Sequence, residues 1–166
     1  DSNNWNTSAR LISGGLLKTN LSDAEINIAS TKFDSNAGWS SDGAGTILQS
    51  WMWKRHAGFD VVTYTGNGVA GRQVPHSMNK TVEMMWVKRR YSTGDWWVYH
   101  KGLDGGNNPG THYLKLNSTD EEGDSNVIWN DTAPTSTHFT LGDYTHVNGN
   151  GSSIIAMLFA SVDGIS

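Results

Sequence analysis

Short apolar runs separated by turn-forming residues constrain the fold of this 166-residue chain more than any other feature. The runs are rich in β-branched and aromatic residues, and each is bounded by Gly, Asn, Asp or Ser, which is the pattern of β-strands. Eight strands are predicted: Arg10 to Ile12, Ile47 to Lys54, Asp60 to Tyr64, Thr81 to Arg89, Trp96 to His100, Tyr113 to Leu116, His138 to Thr140 and Ile154 to Ser161. We therefore expect an all-β chain folded as an antiparallel β-sandwich or jelly roll with low helix content.

Local patterns add expectations about single elements. The run Thr81 to Arg89 has no clean polar face, which predicts a central strand with both faces covered. Residues Tyr91 to Asp95 contain a glycine between two aromatic strands and predict a hairpin loop. Short helices are predicted at Asp23 to Ile28 and at Asp120 to Trp129.

The chain also contains a weak internal repeat. Overlaying Thr31 on Thr137 aligns an aromatic strand, a Gly-x-Gly turn and a second apolar strand in both copies. Repetition at a long period is typical of arrays of similar modules, which are more common in structural proteins than in self-contained enzymes. We therefore interpret residues 1–58 as the C-terminal part of a preceding repeat unit packed on the next, and residues 59–166 as a complete β-sandwich unit.

Composition excludes several classes of protein. The chain has no cysteine, so it has neither disulfides nor a thiolate metal site. Its 12 Lys and Arg against 16 Asp and Glu give a net charge of -4. The composition therefore does not indicate the positively charged surface that nucleic-acid-binding proteins use. No apolar stretch approaches the roughly 20 residues that cross a bilayer, so membrane insertion is not expected. Only 17% of residues are charged, and a surface of neutral hydrogen-bonding groups suits glycans or a neighbouring subunit.

Several segments from Phe59 onward, in order and spacing, resemble a repeat of structural proteins of marine tailed bacteriophages. The matching segments are Phe59 to Gly68, Gly71 to His76, Glu83 to Arg90, Ser92 to Leu103, Tyr113 to Asn117, Trp129 to Ser136 and Phe139 to Gly142. In the first 58 residues, Arg10 to Ser13 takes the place of the strand at Tyr113, and Trp51 to Trp53 that of the terminal apolar strand. The resemblance implies a virion protein, in a tail fibre, spike or other appendage, with a concanavalin-like β-sandwich and no catalytic residues to carry over.

Tryptophans provide the candidate ligand-binding residues. An exposed indole beside Asn, Asp and Gly can form an apolar platform with a hydrogen-bonding rim for a sugar. Trp39, Trp96, Trp97 and Trp129 lie near predicted turns and are the candidates. Trp96 and Trp97 are adjacent and must point to opposite faces of a strand, so at least one is expected in the core. Core packing is therefore the alternative interpretation for these residues.

Loop carboxylates and amides offer oxygen ligands for a structural calcium ion. Two clusters qualify, although neither follows an EF-hand pattern: Asp104 with Asn107 and Asn108, and Asp120 with Glu122 and Asp124. The six histidines show no metal-binding spacing. The alternative to calcium is a set of solvated loop side chains.

Catalysis is not predicted. A glycosidase would need two carboxylates across a sugar, and the candidates are Glu83 with Glu121 or Glu122. Concanavalin-like glucanases have a Glu-x-Asp-x-x-Glu pattern that does not occur here. Glu83 is instead expected to pair with a neighbouring Lys or Arg at a sheet end.

The expected function is that of a non-enzymatic structural module on the virion surface. It would form homo-oligomers, trimers if it belongs to a fibre, contact other virion proteins and take part in attachment to a host-surface glycan. The alternative is a carbohydrate-binding, lectin-like domain assisted by calcium.

Overall fold

The computed structural model describes residues 4–28, 32–35, 38–40, 51–55 and 58–164, with only the backbone described for 32–35 and 38–40. The strands in chain order are β1 (Asn6–Thr7), β2 (Gly15–Lys18), β3 (Ile26–Asn27), β4 (Lys32–Ser35), β5 (Gly38–Ser40), β6 (Phe59–Thr65), β7 (Arg72–Pro75), β8 (Met84–Arg89), β9 (Trp97–His100), β10 (His112–Lys115), β11 (Gly123–Asp124), β12 (His138–Leu141) and β13 (Ser153–Phe159). The helices are α1 (Asn126–Trp129) and α2 (Thr145–Asn148), with 3-10 turns at Arg10–Ile12, Leu103–Gly106 and Pro109–Thr111.

A six-stranded antiparallel sheet forms the centre of the molecule, with the strand order β11-β10-β9-β8-β13-β6. Strand β8 lies between β9 and β13, so the prediction of a central strand is confirmed. The pairing of Val87 with Trp97 places residues 91–95 at the end of a β8–β9 hairpin, as predicted. Strand β6 lies at one edge and pairs only with β13 among the described strands.

One face of this sheet is covered by the two-stranded sheet β7–β12 and by both helices. Met85 and Val87 from β8 and Ala156 from β13 contribute from the large sheet. Phe139 and Trp129 contribute from the covering layer. All of these side chains are almost fully buried, so this face holds the main hydrophobic core.

The opposite face is covered by the N-terminal residues, which form the three-stranded sheet β1-β2-β3. Ile12 and Leu17 of this N-terminal layer pack against Trp96, Ile155 and Met157, and these residues form the N-terminal core. Layers on both faces of a large antiparallel sheet confirm the predicted all-β sandwich. The division of the chain after residue 58 stays a prediction.

Several predicted element boundaries are wrong. Arg10–Ile12 is a 3-10 turn, not a strand, because the N–H of Ile12 donates to Ala9 O at 3.0 Å and only Ile12 of the three is buried. In the predicted strand Ile47 to Lys54, residues 51–54 have no regular structure, and residues 47–50 lie outside the described ranges.

Both predicted helices also differ from the structure. Within Asp23 to Ile28 no residue is helical and only β3 is regular, because the N–H of Glu25 donates to Arg90 O at 2.6 Å and Ile26 pairs with Leu16. This pairing outweighs a weak local helix propensity. Within Asp120 to Trp129 only α1 is helical, since β11 pairs with β10.

Candidate functional site

Three of the four candidate tryptophans are core residues. Trp96 lies in the N-terminal core, whereas Trp97 and Trp129 lie in the main core, so the expectation that the adjacent pair splits between two faces is confirmed. The indole N–H of Trp96 donates to Lys18 O at 2.9 Å, and that of Trp129 donates to His112 O at 3.0 Å. None of these three rings presents an open face on which a sugar could stack. Trp39 belongs to β5, and its side chain lies outside the described part of the structure.

In the first predicted calcium cluster, one carboxylate oxygen of Asp104 is engaged by hydrogen bonds from Asn108. Asp104 Oδ2 accepts from the backbone N–H of Asn108 at 3.1 Å and from its side-chain amide at 3.3 Å. Asn107 Nδ2 donates to Asp104 O, and Glu122 Oε2 accepts from the backbone N–H of Asp104. The Asp104 carboxylate thus closes a turn in which this residue itself has a φ of 52°.

The second predicted calcium cluster is dispersed. Asp120 forms an ion pair with Lys115 at 3.0 Å, which lowers the pKa of this carboxyl group, and Asp124 lies in β11 opposite His112. Within the described ranges, no three His, Asp or Glu side chains converge as a metal ion would require. Calcium binding therefore stays a prediction.

Glu83 lies at a sheet end, where Lys101 Nζ donates to its Oε1 at 2.8 Å and Ser161 Oγ donates to its Oε2 at 2.6 Å. The hydrogen bond from Lys101 is the main reason that the pKa of Glu83 is lowered. The predicted ion pair of Glu83 is confirmed, and a carboxyl group with a lowered pKa is a poor general acid.

The most conspicuous surface feature is a group of exposed apolar side chains that sequence reasoning did not select. Trp5, Trp51, Met52 and Trp53 are each 51–75% exposed, and we call them the aromatic surface. The ring centroids of Trp5 and Trp51 lie 6.5 Å apart, as do those of Trp51 and Trp53. Contiguous exposed apolar residues of this size mark interaction sites more often than isolated ones do.

The aromatic surface is continuous with the core beneath it. The ring of Trp53 contacts Phe59 at 5.7 Å and Phe159 at 6.2 Å between centroids, and Phe159 in turn contacts Trp86 at 4.9 Å. The inner rings hold Trp53 in position while half of its surface stays in water. Three consecutive large apolar residues were the available signal, because an extended chain cannot bury all three against one core.

The outer edge of β6 adjoins this surface. Bonds from Ala160 N to Gly58 O and from Gly66 N to Ser152 O, both 2.8 Å, show that even-numbered residues bond to β13. Val61, Thr63 and Thr65 therefore direct their backbone groups away from the sheet. The N–H of Val61 donates to Asp60 Oδ1 at 2.9 Å, and Thr65 O accepts from Arg72 Nη1. Within the described structure, neither backbone group of Thr63 has a partner.

A groove of about 380 Å³ runs beside this edge and is lined by Leu11, Arg55, Val61, Val62, Thr63, Pro75, His76 and Ser77. Buried Asp60 anchors it, since its Oδ2 accepts from Ser77 N at 2.9 Å and its Oδ1 forms an ion pair with Arg55. Burial acts to raise the pKa of Asp60, but the hydrogen bonds from Arg55 and Ser77 hold that pKa below its ordinary value. Asp60 is thus an ionised structural anchor that fixes one wall of the groove.

Comparisons with known proteins identify a family. Both helices of the described part of the chain have only four residues, and neither could span a bilayer. No curated protein and no solved structure matches the chain. A family model described as a domain of unknown function (DUF7483) matches residues 6–166. Because this match spans almost the whole sequence, the chain belongs to the DUF7483 family.

Proposed function

We propose that the chain is a non-catalytic structural module of a phage virion, in a tail fibre, spike or other appendage, that acts by self-association and surface display. The observation that carries self-association is the aromatic surface beside the outer edge of β6, with which no other described strand pairs. The bacteriophage-like segments between residues 59 and 142 support the virion assignment.

A second copy of the chain is the partner that the edge of β6 fits best. Antiparallel pairing of two β6 strands about a two-fold axis at Thr63 places Val61 of one copy opposite Thr65 of the other. The Val61 N–H and the Thr65 C=O would then face each other, and each already has a partner in its own chain. Thr63 bonds to its symmetry mate, and Thr65 N–H bonds to Val61 C=O. The edge is therefore self-complementary.

The geometry of the aromatic surface also favours a protein partner over a glycan chain. The rings of Trp51 and Trp53 are almost perpendicular, with an interplanar angle of 89°. Successive sugar units stack best on ring faces that share one plane, whereas perpendicular rings fit the interdigitated side chains of a protein interface. A second copy covering this surface would bury side chains that otherwise lie in water.

Light scattering of the purified chain at about 100 μM tests the proposal, since it detects weak and strong association alike. We expect a dimer, and we expect Trp51→Ser with Trp53→Ser to give a monomer. Tyr91→Ser is the matched control, because Tyr91 is an equally exposed aromatic residue elsewhere, and it should leave the dimer intact. A monomeric unmutated chain contradicts self-association.

A proline substitution tests the pairing of β6 itself. Thr63→Pro removes one outward N–H and no bond to β13, so it should abolish the dimer while the monomer stays folded. Thr63→Val keeps the N–H and should behave like the unmutated chain. A trimer that tolerates Thr63→Pro would retain self-association and refute the edge pairing.

The alternative, a lectin-like domain, has a different observation in its favour. On the face of the six-stranded sheet opposite the aromatic surface, three buried polar nitrogen atoms have no hydrogen-bond partner among the residues that the structure describes.

A further inference from the structure

Three unpartnered nitrogen atoms belong to one cluster on the main-core face of the large sheet. They are Nε of Arg89 in β8, Nε1 of Trp97 in β9 and Nδ1 of His146 in α2. Arg89 Nη2 lies 3.5 Å from His146 Nε2, and the rings of Trp97 and His146 lie 6.3 Å apart at 83°. Most buried polar atoms in folded proteins have a partner, so three unpartnered nitrogen atoms on three neighbouring residues need an explanation.

All three unpartnered nitrogen atoms are hydrogen-bond donors. The indole Nε1 of Trp97 and the guanidinium Nε of Arg89 can only donate. Because Arg89 Nη2 faces Nε2 of His146, the imidazole accepts at Nε2 and carries its proton on Nδ1. Burial lowers the pKa of His146 and the nearby Arg89 lowers it further, which keeps this ring neutral at pH 7. These three atoms are therefore donors that have no acceptor among the described residues.

The surroundings of the cluster are aromatic and include Lys115, whose Nζ pairs with Asp120 at 3.0 Å and with Asp95 at 3.8 Å. The ring of Trp97 contacts Tyr113 at 4.9 Å and Tyr144 at 5.1 Å. Tyr144 stacks on His146 at 5.0 Å, and Lys115 Nζ lies 5.8 Å from the ring centre of Trp97. Both tyrosines are only partly buried, so the cluster lies close beneath the surface.

We propose that this cluster binds the carboxylate of an acidic sugar. A carboxylate offers about four lone-pair positions and can accept from all three donors, with Arg89 supplying the opposite charge. The apolar face of a pyranose ring then lies against Tyr113 and Tyr144. The site is independent of self-association, because it lies on the opposite face of the sheet from the aromatic surface.

Binding requires a small opening, because the three nitrogen atoms are covered in the free protein. Tyr144 and His146 lie at the start of the four-residue helix α2 and are the side chains that must swing away from Trp97. Each unpartnered N–H destabilises the closed form, which lowers the free energy needed to open it.

The indole N–H resonance of Trp97 in a proton–nitrogen NMR spectrum reports on this site, and Trp97→Phe assigns it. Titration with glucuronate should shift the Trp97 resonance saturably, with a dissociation constant of about 1 mM. Glucose at the same concentration should not shift it. Arg89→Gln should weaken glucuronate binding at least about tenfold. Lys80→Gln, which removes an exposed charge elsewhere, is the control and should change nothing.

A second variant keeps the test informative if Arg89→Gln does not fold. A Cβ added at Gly94 would lie 2.9 Å from Nδ1 of His146, so Gly94→Ala should block the same site by crowding it. Absence of a saturable shift in the unmutated protein overturns the proposal. An equal response to acetate overturns the sugar assignment, and full binding by a folded Arg89→Gln protein overturns the assignment of the cluster.

Discussion

Lys88 is fully buried in β8, on the face of the sheet that the N-terminal layer covers. Its Nζ donates to Arg89 O at 2.8 Å and to Ser92 O at 3.4 Å, and no carboxylate of the described residues lies within ion-pair distance. Burial, reinforced by the charge of Arg89, lowers the pKa of Lys88 to about 8 from the ordinary 10.5, although Asp23 and Asp95 oppose this change. A buried ammonium held only by carbonyl groups destabilises the fold at neutral pH.

Lys88 therefore predicts a pH dependence of stability. Between pH 8 and pH 10.5 the unfolded chain keeps its proton on Lys88 while the folded chain has lost it, so the free energy of unfolding rises with pH. We expect a gain of about 1–2 kcal/mol between pH 7 and pH 9.5, less than the full pKa difference implies because this range ends below the ordinary pKa of 10.5. Urea unfolding at both pH values measures it.

Lys88→Met should remove this gain and stabilise the protein at pH 7, whereas Lys80→Met, at an exposed lysine, should leave the gain unchanged. If the free energy of unfolding still rises with pH in Lys88→Met, another titratable group causes the rise. Measurements stop below pH 10, because burial raises the pKa values of Tyr64 and Tyr99. Above pH 10 their ionisation in the unfolded chain lowers stability, with the opposite sign.

At the scale of elements, the N-terminal layer is attached to the sheet by both packing and polar contacts. Leu17 of β2 is almost fully buried against Ile155 and Met157. Arg90 donates to both carboxylate oxygens of Glu25, at 2.6 and 2.8 Å. Because most of this ion pair is buried, Glu25 fixes the position of the layer on the sheet.

Leu17→Ala should therefore destabilise the protein by about 2–5 kcal/mol, because it leaves a cavity between the layer and the sheet. Leu11→Ala provides the matched control: Leu11 belongs to the same layer but is about half exposed, and its loss should cost less than about 1 kcal/mol. Thermal unfolding followed by circular dichroism compares the two variants. Equal effects would mean that the layer contributes little to the core.

The sequence predicted the strands of the large sheet better than the layer that covers it. The runs that became β6, β9, β10 and β13 have apolar residues on both faces, a strong signal for buried strands. Strands β1 and β3 have two residues each and are partly exposed, so they carry no pattern of their own. Their pairing depends on contacts distant in sequence.

The same limit explains the candidate tryptophans. Trp96 and Trp97 lie beside a turn in the sequence, but the N-terminal layer buries the first and α2 helps to bury the second. Trp51 and Trp53 lie in an apolar run, yet the structure leaves them in water. The difference between a core tryptophan and a surface one here is the presence of another layer, which a local pattern does not encode.

At the scale of the whole molecule, the two cores share one sheet. Ile155 of β13 packs in the N-terminal core, and its neighbours Ile154 and Ala156 pack in the main core. Removal of the N-terminal layer would leave Trp96, Ile155 and Met157 uncovered, with Lys88 beside them. The interpretation of residues 1–58 as part of another unit thus has a physical consequence, because the sheet of residues 59–166 depends on them for cover.

Residues 59–166 produced alone should therefore aggregate or bind a hydrophobic dye, and should unfold without a cooperative transition. We expect the free energy of unfolding to fall by more than about 5 kcal/mol, which is comparable with the whole stability of many domains. Calorimetry and dye fluorescence measure this, and addition of separately produced residues 1–58 should restore the cooperative transition. If residues 59–166 unfold cooperatively at the temperature of the full chain, the repeat unit is self-sufficient and the N-terminal layer is an attachment, not a structural component.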